Sequence, residues 1–233
     1  MTDYLFPPTP QSALPVKGET ALYPVNRIFC VGRNYDAHAK EMGYEVDRET
    51  PFYFTKAAPN AFAMTGSSAA YPGGTEDFHF EMELTVAIGA EVFQASREDA
   101  AAAVYGYCCG LDMTRRDLQI RERTIKRPWD LGKDGEASGV FAPITKAADF
   151  GAIGSQRIHL SQNGRVVQDS TLDLLVWKVD ELIAHLSTYY HLRPGDLIMS
   201  GTPEGVGPVQ PGDVLEGGVD GLDPIRFTID PPA

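Results

Sequence analysis

The sequence predicts an α+β fold rich in strands and poor in helices, with one domain over residues 25–233 behind an N-terminal arm at 1–24. Three observations carry this expectation. Short runs of β-branched and aromatic residues recur along the chain, while few stretches show helical periodicity. In RIHLSQNGRVVQDS (157–170), Asn163-Gly164 sits between strand-like flanks, a strong two-residue hairpin signal. From residue 193 on, the chain breaks into short strands at RPGD, TPEGVGP and QPGD turns. Many short strands, few helices and no shift in composition argue for a layered β-rich domain.

Taken in order, residues 1–24 are rich in proline and read as an arm wrapping a surface. RIFCVGR (27–33) reads as a buried strand, and YDAHAKEM (35–42) as a short helix. GYEVDRET (43–50) is polar and poorly patterned, which predicts a mobile loop, and PFYFTKA (51–57) is a β-rich run. A strand is expected at about 80–93, followed by a helix in SREDAAAAV, where Ser96 and Asp99 have N-cap and N3 spacing. YGYCCGLDMT (105–114) reads as another buried strand, and RRDLQIRERT (115–124) as a charged, exposed helix. Leu175, Val179, Leu182, Ile183 and Leu186 recur at helical spacing, which predicts an amphipathic helix over 173–189.

Composition excludes some functions. Of 233 residues 43 % are apolar, enough for an ordinary core. A net charge of −12 argues against binding nucleic acid or an anionic membrane surface, both of which need a basic face. An acidic substrate would need a local cation, either a metal or placed Lys and Arg. Cys30, Cys108 and Cys109 lack Cys-x-x-Cys spacing, and the adjacent pair points to opposite faces of a strand. They read as reduced structural thiols, consistent with a cytosolic protein. The N-terminus has no signal or transit pattern, and no apolar run reaches the ~18 residues of a membrane span.

The chemistry concentrates in FHFEMELTVAIG (78–89), where Glu81 and Glu83 stand one residue apart in an apolar run. Residues i and i+2 of a strand share a face. Two carboxylates there repel and lose hydration unless a positive charge joins them. A divalent cation meets that need, with Asp112 as a third oxygen ligand. Carboxylates without nearby cysteine point to a hard ion, Mg²⁺ first, then Mn²⁺ or Ca²⁺. The competing reading places one glutamate at a wet edge, paired with an arginine. His79, two residues before Glu81, is a candidate hydrogen-bond partner behind the ligands. His38 and Glu41 lie one helical turn apart, an imidazole–carboxylate dyad or a surface pair. Lys133, in the glycine-bounded WDLGKDG (129–135), is a candidate oxyanion partner or a solvated lysine. SGTPEGVGP (200–208) lets backbone N–H groups approach a ligand and supplies the Thr202 hydroxyl.

Together and in this order, VGRNYDAHAKEM (31–42), PFYFTK (51–56), FHFEMELTVAIG (78–89), YGYCCGLDMTRRDLQ (105–119), PWDLGK (128–133) and SGTPEGVGPVQPGD (200–213) resemble the fumarylacetoacetate hydrolase (FAH) family. The resemblance implies the family's mixed β-roll/sandwich with a few peripheral helices, usually as a homodimer. It implies Mg²⁺ or Mn²⁺ held by Glu81, Glu83 and Asp112, with Ca²⁺ only as a non-native occupant. It implies a His38–Glu41 dyad that activates water, Lys133 near a developing enolate, and substrate contacts from Arg116, Gln119 and Thr202. The activity implied is C–C bond hydrolysis of an acylpyruvate, fumarylpyruvate first among them, in aromatic catabolism. The alternative is decarboxylation of oxaloacetate or isomerisation of a 2-oxo-enoic diacid at the same site. One segment departs from the family's pattern: DGEASGVFAP (134–143) has Gly135, Glu136 and Val140 where relatives carry an aromatic, an Asp and a proline-containing stretch. This predicts that 43–50 and 134–142 set substrate choice.

Overall fold

The computed structural model describes residues 3–43 and 48–233. The centre of the expected loop at 43–50 lies outside these described residues. Strands dominate, as the sequence predicts. One eight-stranded mixed sheet runs in the order Phe52–Lys56, Arg27–Gly32, Asp196–Met199, Met82–Ile88, Val104–Asp112, Gly139–Phe141, Phe62–Met64, with Thr145–Lys146 also paired to Val104–Asp112. A five-stranded sheet orders Arg165–Thr171, Arg157–Gln162, Val214–Val219, Ile225–Asp230 and Ser68–Ala70. The main core lies between the two sheets. Leu84, Val86, Cys109 and Leu111 from the first meet Ile158, Leu160, Leu215 and Phe227 from the second.

Alternation across the first sheet separates two environments. Met82, Leu84 and Val86 enter the main core, while Ala87 and Cys108 enter a second apolar cluster with Leu14, Tyr23, Ile28 and Met199. Adjacent Cys108 and Cys109 therefore face opposite sides, as alternation requires, and both are free thiols. Glu83 and Asp112 alternate with core residues of their strands, and both are buried.

The hairpin at Asn163-Gly164 forms as expected, with Gln162 paired to Arg165. Both turn residues have positive φ, 53° and 80°, the requirement of a type I′ turn. Ser96 caps the helix Arg97–Ala102 by accepting from the Asp99 N–H.

Four expectations about elements are corrected. The run at 80–93 is two strands, Phe78–Phe80 and Met82–Ile88, in different sheets, with Glu81 at the break. The amphipathic helix spans only Val179–Leu186. Its upstream part is pinned to Asn34, whose backbone O accepts from Val176 N and whose Oδ1 accepts from Trp177 N at 2.7 Å. Lys133 ends a short helix, Asp130–Lys133, and does not sit in an open loop. The helix Arg116–Thr124 is not simply exposed, because Arg116, Gln119 and Glu122 are buried.

Candidate metal centre and active site

Glu81, Glu83 and Asp112 converge from the strand break and two neighbouring strands. The register pairs Glu83 with Gly110, so Asp112 stands two residues further along the same face. At the break, the Asp112 N–H donates to the Glu81 carbonyl at 2.9 Å, which ties the third carboxylate to the other two. One oxygen from each carboxylate lies within 4.8 Å of the others, and all three residues are buried.

Burial of three carboxylates calls for counter-charge. Lys133 Nζ lies 2.8 Å from Glu81 Oε2, 2.7 Å from Asp112 Oδ2 and 2.8 Å from the Thr114 hydroxyl. Arg116 pairs with Glu81 and donates to Gln119 Oε1 at 2.6 Å. Lys56 Nζ, fully buried, reaches Asp112 Oδ1 at 2.8 Å and donates to Ser138 Oγ at 3.1 Å. Glu83 differs: it accepts the Gly201 N–H at 2.7 Å, and no ion pair to it is found among the described residues.

The electrostatics follow from these contacts. Burial opposes the charged form of Glu81, but Lys133 and Arg116 outweigh it and hold its carboxyl well below the ordinary range. Burial, together with Asp112 and Glu81, pushes the Glu83 carboxyl well above its ordinary value. Burial disfavours the Lys133 ammonium, yet Asp112 and Glu81 raise its pKa overall. Glu83 is thus the one carboxyl of the three that no cationic side chain pairs with among the described residues, and its charged form is disfavoured until a cation joins it. A hard divalent cation fits there: three carboxylate oxygens offer ligands at mutually compatible spacing.

His38 and Glu41 pair on the helix Asp36–Glu41, Nδ1 to Oε2 at 3.2 Å. Glu41 is held in turn by the Gly205 N–H at 3.1 Å. Burial lowers the His38 pKa, with Glu81 and Glu41 acting against it, so the imidazole is neutral at pH 7.

One cavity is lined by His38, Glu81, Glu83, Arg116, Gln119, Lys133 and Thr202, joined by Phe54, Arg123 and Trp129. Seven of the nine residues singled out as catalytic, metal-binding or substrate-binding thus line its wall, with Asp112 bonded to Lys133 and Glu41 to His38 just behind it. The structure does not bring in His79, which pairs with Asp77 at 2.8 Å on a different strand from Glu83. Nor do 134–142 line this cavity among the described residues: Val140 is in the main core and Glu136 is exposed.

Two supporting residues escape sequence reasoning. Lys56 is the first; a charge closing a β-rich run was its only signal. Gln168 is the second. Its Oε1 accepts from Met82 N, and its Nε2 donates to Thr202 Oγ1, both at 2.9 Å, so it fixes the acidic segment against the Thr202 loop. Nothing in its exposed-looking hairpin marked it.

The family profile described as "Fumarylacetoacetate (FAA) hydrolase C-terminal" matches residues 27–230. The chain belongs to the fumarylacetoacetate hydrolase family. Among FAH relatives, it is 49 % identical over 192 residues to a fumarylpyruvate hydrolase from a Ralstonia species, covering 82 % of this chain and 99 % of that one. It is 38 % identical over 200 residues to an oxaloacetate tautomerase of Escherichia coli, covering 85 % and 90 %. A solved structure of the Pseudomonas aeruginosa fumarylpyruvate hydrolase, in complex with Mn²⁺ and pyruvate, superposes with a TM-score of 0.94 at 42 % identity, covering 98 % of this chain and 100 % of the other. The FAH fold is thus the fold of this chain, and its relatives include both fumarylpyruvate hydrolases and oxaloacetate tautomerases.

Proposed function

We propose that this chain is a divalent-metal-dependent hydrolase that cleaves the C–C bond of an acylpyruvate, fumarylpyruvate to fumarate and pyruvate. The observation that carries the reading is one cavity presenting both a buried acidic triad and a neutral, carboxylate-oriented histidine. The 49 % identity to a fumarylpyruvate hydrolase supports the choice of substrate.

Glu81, Glu83 and Asp112 would hold the ion, for which we propose Mg²⁺ or Mn²⁺. When bound, it supplies charge stabilisation for the oxygens of the 2-oxo acid. Arg116, Gln119 and Thr202 orient the substrate carboxylate. With Nδ1 held by Glu41, His38 has Nε2 free to take a proton from water. The hydroxide oxygen adds to the C4 carbonyl carbon. The C3–C4 bond then breaks, its electron pair passing to the pyruvate fragment as an enolate. Lys133, an ammonium bridging Glu81 and Asp112, stands where it can balance that charge. Protonation at C3 yields pyruvate, and C4 leaves as a carboxylate of fumarate. Assembly as a homodimer in the cytoplasm completes the proposal.

A second reading has support in the oxaloacetate tautomerase relatives. Enolisation needs the cation and a base but no attacking water. Incubation with Mn²⁺ and fumarylpyruvate, with products separated by chromatography, tests the proposal. Equimolar fumarate and pyruvate is the expected result. Enol–keto interconversion of oxaloacetate, or CO₂ release from it, without diketo-acid cleavage would move the enzyme to the second reading.

A further inference from the structure

Arg116, Gln119 and Arg123 all line the cavity, and all come from the helix Arg116–Thr124. Their spacing is i, i+3, i+7. At about 100° per residue they fall within roughly a 60° arc, one face of the helix turned to the site. The first two lie at the acidic triad, where Arg116 pairs with Glu81 and bonds Gln119. Arg123 stands one turn beyond Gln119, about 6 Å further along the axis. Phe54 and Trp129, whose ring centroids are 5.9 Å apart, line the same cavity.

We propose that Arg123 is a specificity residue that binds a second carboxylate at the far end of the acyl group, so that the helix measures the length of a dicarboxylic substrate. The inference rests on the acylpyruvate reading and adds to it the means of choosing the acyl chain. Six C–C bonds join the two carboxyl carbons of fumarylpyruvate. At roughly 1.2 Å of extension per chain bond, they lie about 7 Å apart. That length matches the advance from Gln119 to Arg123. The conjugated segment between them then passes the apolar faces of Phe54 and Trp129. A guanidinium suits this task because its planar fork meets a carboxylate with two parallel bonds. Charge argues the same way. In a chain of net charge −12, the cavity wall nevertheless carries Arg33, Arg116 and Arg123 as well as Lys133. Arg116 and Lys133 both bond the triad, at the acidic end of the cavity, and Arg123 lies beyond Arg116 on the same helix face.

The test compares fumarylpyruvate with acetylpyruvate, which lacks the second carboxylate, in the Mn²⁺-loaded wild type, Arg123→Gln, Arg123→Lys and Arg33→Gln. The expected result is a fall in the ratio of kcat/KM for fumarylpyruvate over acetylpyruvate of between about 10- and 100-fold in Arg123→Gln. The loss should appear mainly in KM, with Arg123→Lys intermediate. Equal losses on both substrates, no loss, or a selective loss only in Arg33→Gln would overturn it. Calorimetric titration of the same proteins with fumarate and with crotonate, its monocarboxylate counterpart, reads the subsite without turnover. Preference for fumarate in the wild type that vanishes in Arg123→Gln supports the inference, and equal binding of the two acids refutes it. A wild type that cleaves neither diketo acid fails the hydrolase reading, and the titration then still decides the subsite.

Discussion

His38 ties the chemistry to pH through a single proton. As a base it must be neutral, and burial sets its pKa below the ordinary 6.5. The acid limb of kcat/KM should therefore have its midpoint below 6.5, with activity lost as pH falls through it. Glu41 raises that pKa by accepting from the ring, so Glu41→Gln should move the limb to lower pH and also lower the plateau. An unmoved limb in a pH–rate profile would remove the dyad from the reaction. His38→Ala should lose about 10²- to 10⁴-fold in kcat while still binding Mn²⁺, read by calorimetry. Lys56 gives a further test. It holds the Asp112 oxygen that Lys133 does not, so Lys56→Met should weaken Mn²⁺ binding by about 10- to 100-fold. The acidic ligands were legible because two glutamates in an apolar run violate the pattern around them. Lys56 was not, since one lysine ending a strand is ordinary, and only the fold shows that its ammonium points inward.

At the scale of elements, the site depends on how closely the Met82–Ile88 and Val104–Asp112 strands approach the rest of the sheet. Gly110 faces Glu83 across the ladder, and a Cβ there would lie 2.4 Å from Thr85 Oγ1 and 3.1 Å from Met199 Cε. Neither neighbour can withdraw far, since Thr85 and Met199 are buried. Gly110→Val should therefore cost about 1–3 kcal/mol in a denaturant melt. It should also weaken Mn²⁺ binding, because Glu83 and Asp112 flank the displaced backbone. A stable variant with unchanged metal affinity would show that the sheet yields more readily than its packing implies. Periodicity found these strands and the Asn163-Gly164 hairpin, because each follows a local rule. It missed the break at Glu81, where hydrogen bonding to Asp112 from another strand sets the backbone. It also read the Arg116–Thr124 helix as exposed, because the partner of Arg116, Glu81, lies 35 residues away in sequence, and Gln119 bonds to Arg116 in turn.

For the whole molecule, the governing fact is how the buried charges are paired: three cations serve Glu81 and Asp112, and none pairs with Glu83 among the described residues. The three buried carboxylates meet Lys56, Lys133 and Arg116, but the member they leave unpaired is Glu83, whose carboxyl is pushed above its ordinary 4.5. A carboxyl whose folded pKa is raised contributes stability at low pH, and that contribution is lost as pH rises through the folded value. The metal-free protein should accordingly lose stability as pH climbs above the ordinary carboxylate range. Metal binding reverses the sign, because the ion requires Glu83 ionised and rewards rising pH. At free Mn²⁺ 100-fold above Kd the gain is about 2.7 kcal/mol. For a chain of this size that is roughly 5–10 °C in Tm. Scanning calorimetry with chelator and with Mn²⁺ across pH 5.5 to 8 should show two curves that diverge as pH rises. Glu83→Gln keeps an acceptor for the Gly201 N–H and removes the charge. Its chelator curve should therefore lie above that of the wild type at high pH, and Mn²⁺ should add little. Parallel wild-type curves would place the metal-linked charge elsewhere than Glu83. The overall architecture was legible because the family's segments span nearly the whole chain in order, whereas this pairing of charges becomes visible only when the fold brings residues 56, 81, 83, 112, 116 and 133 together.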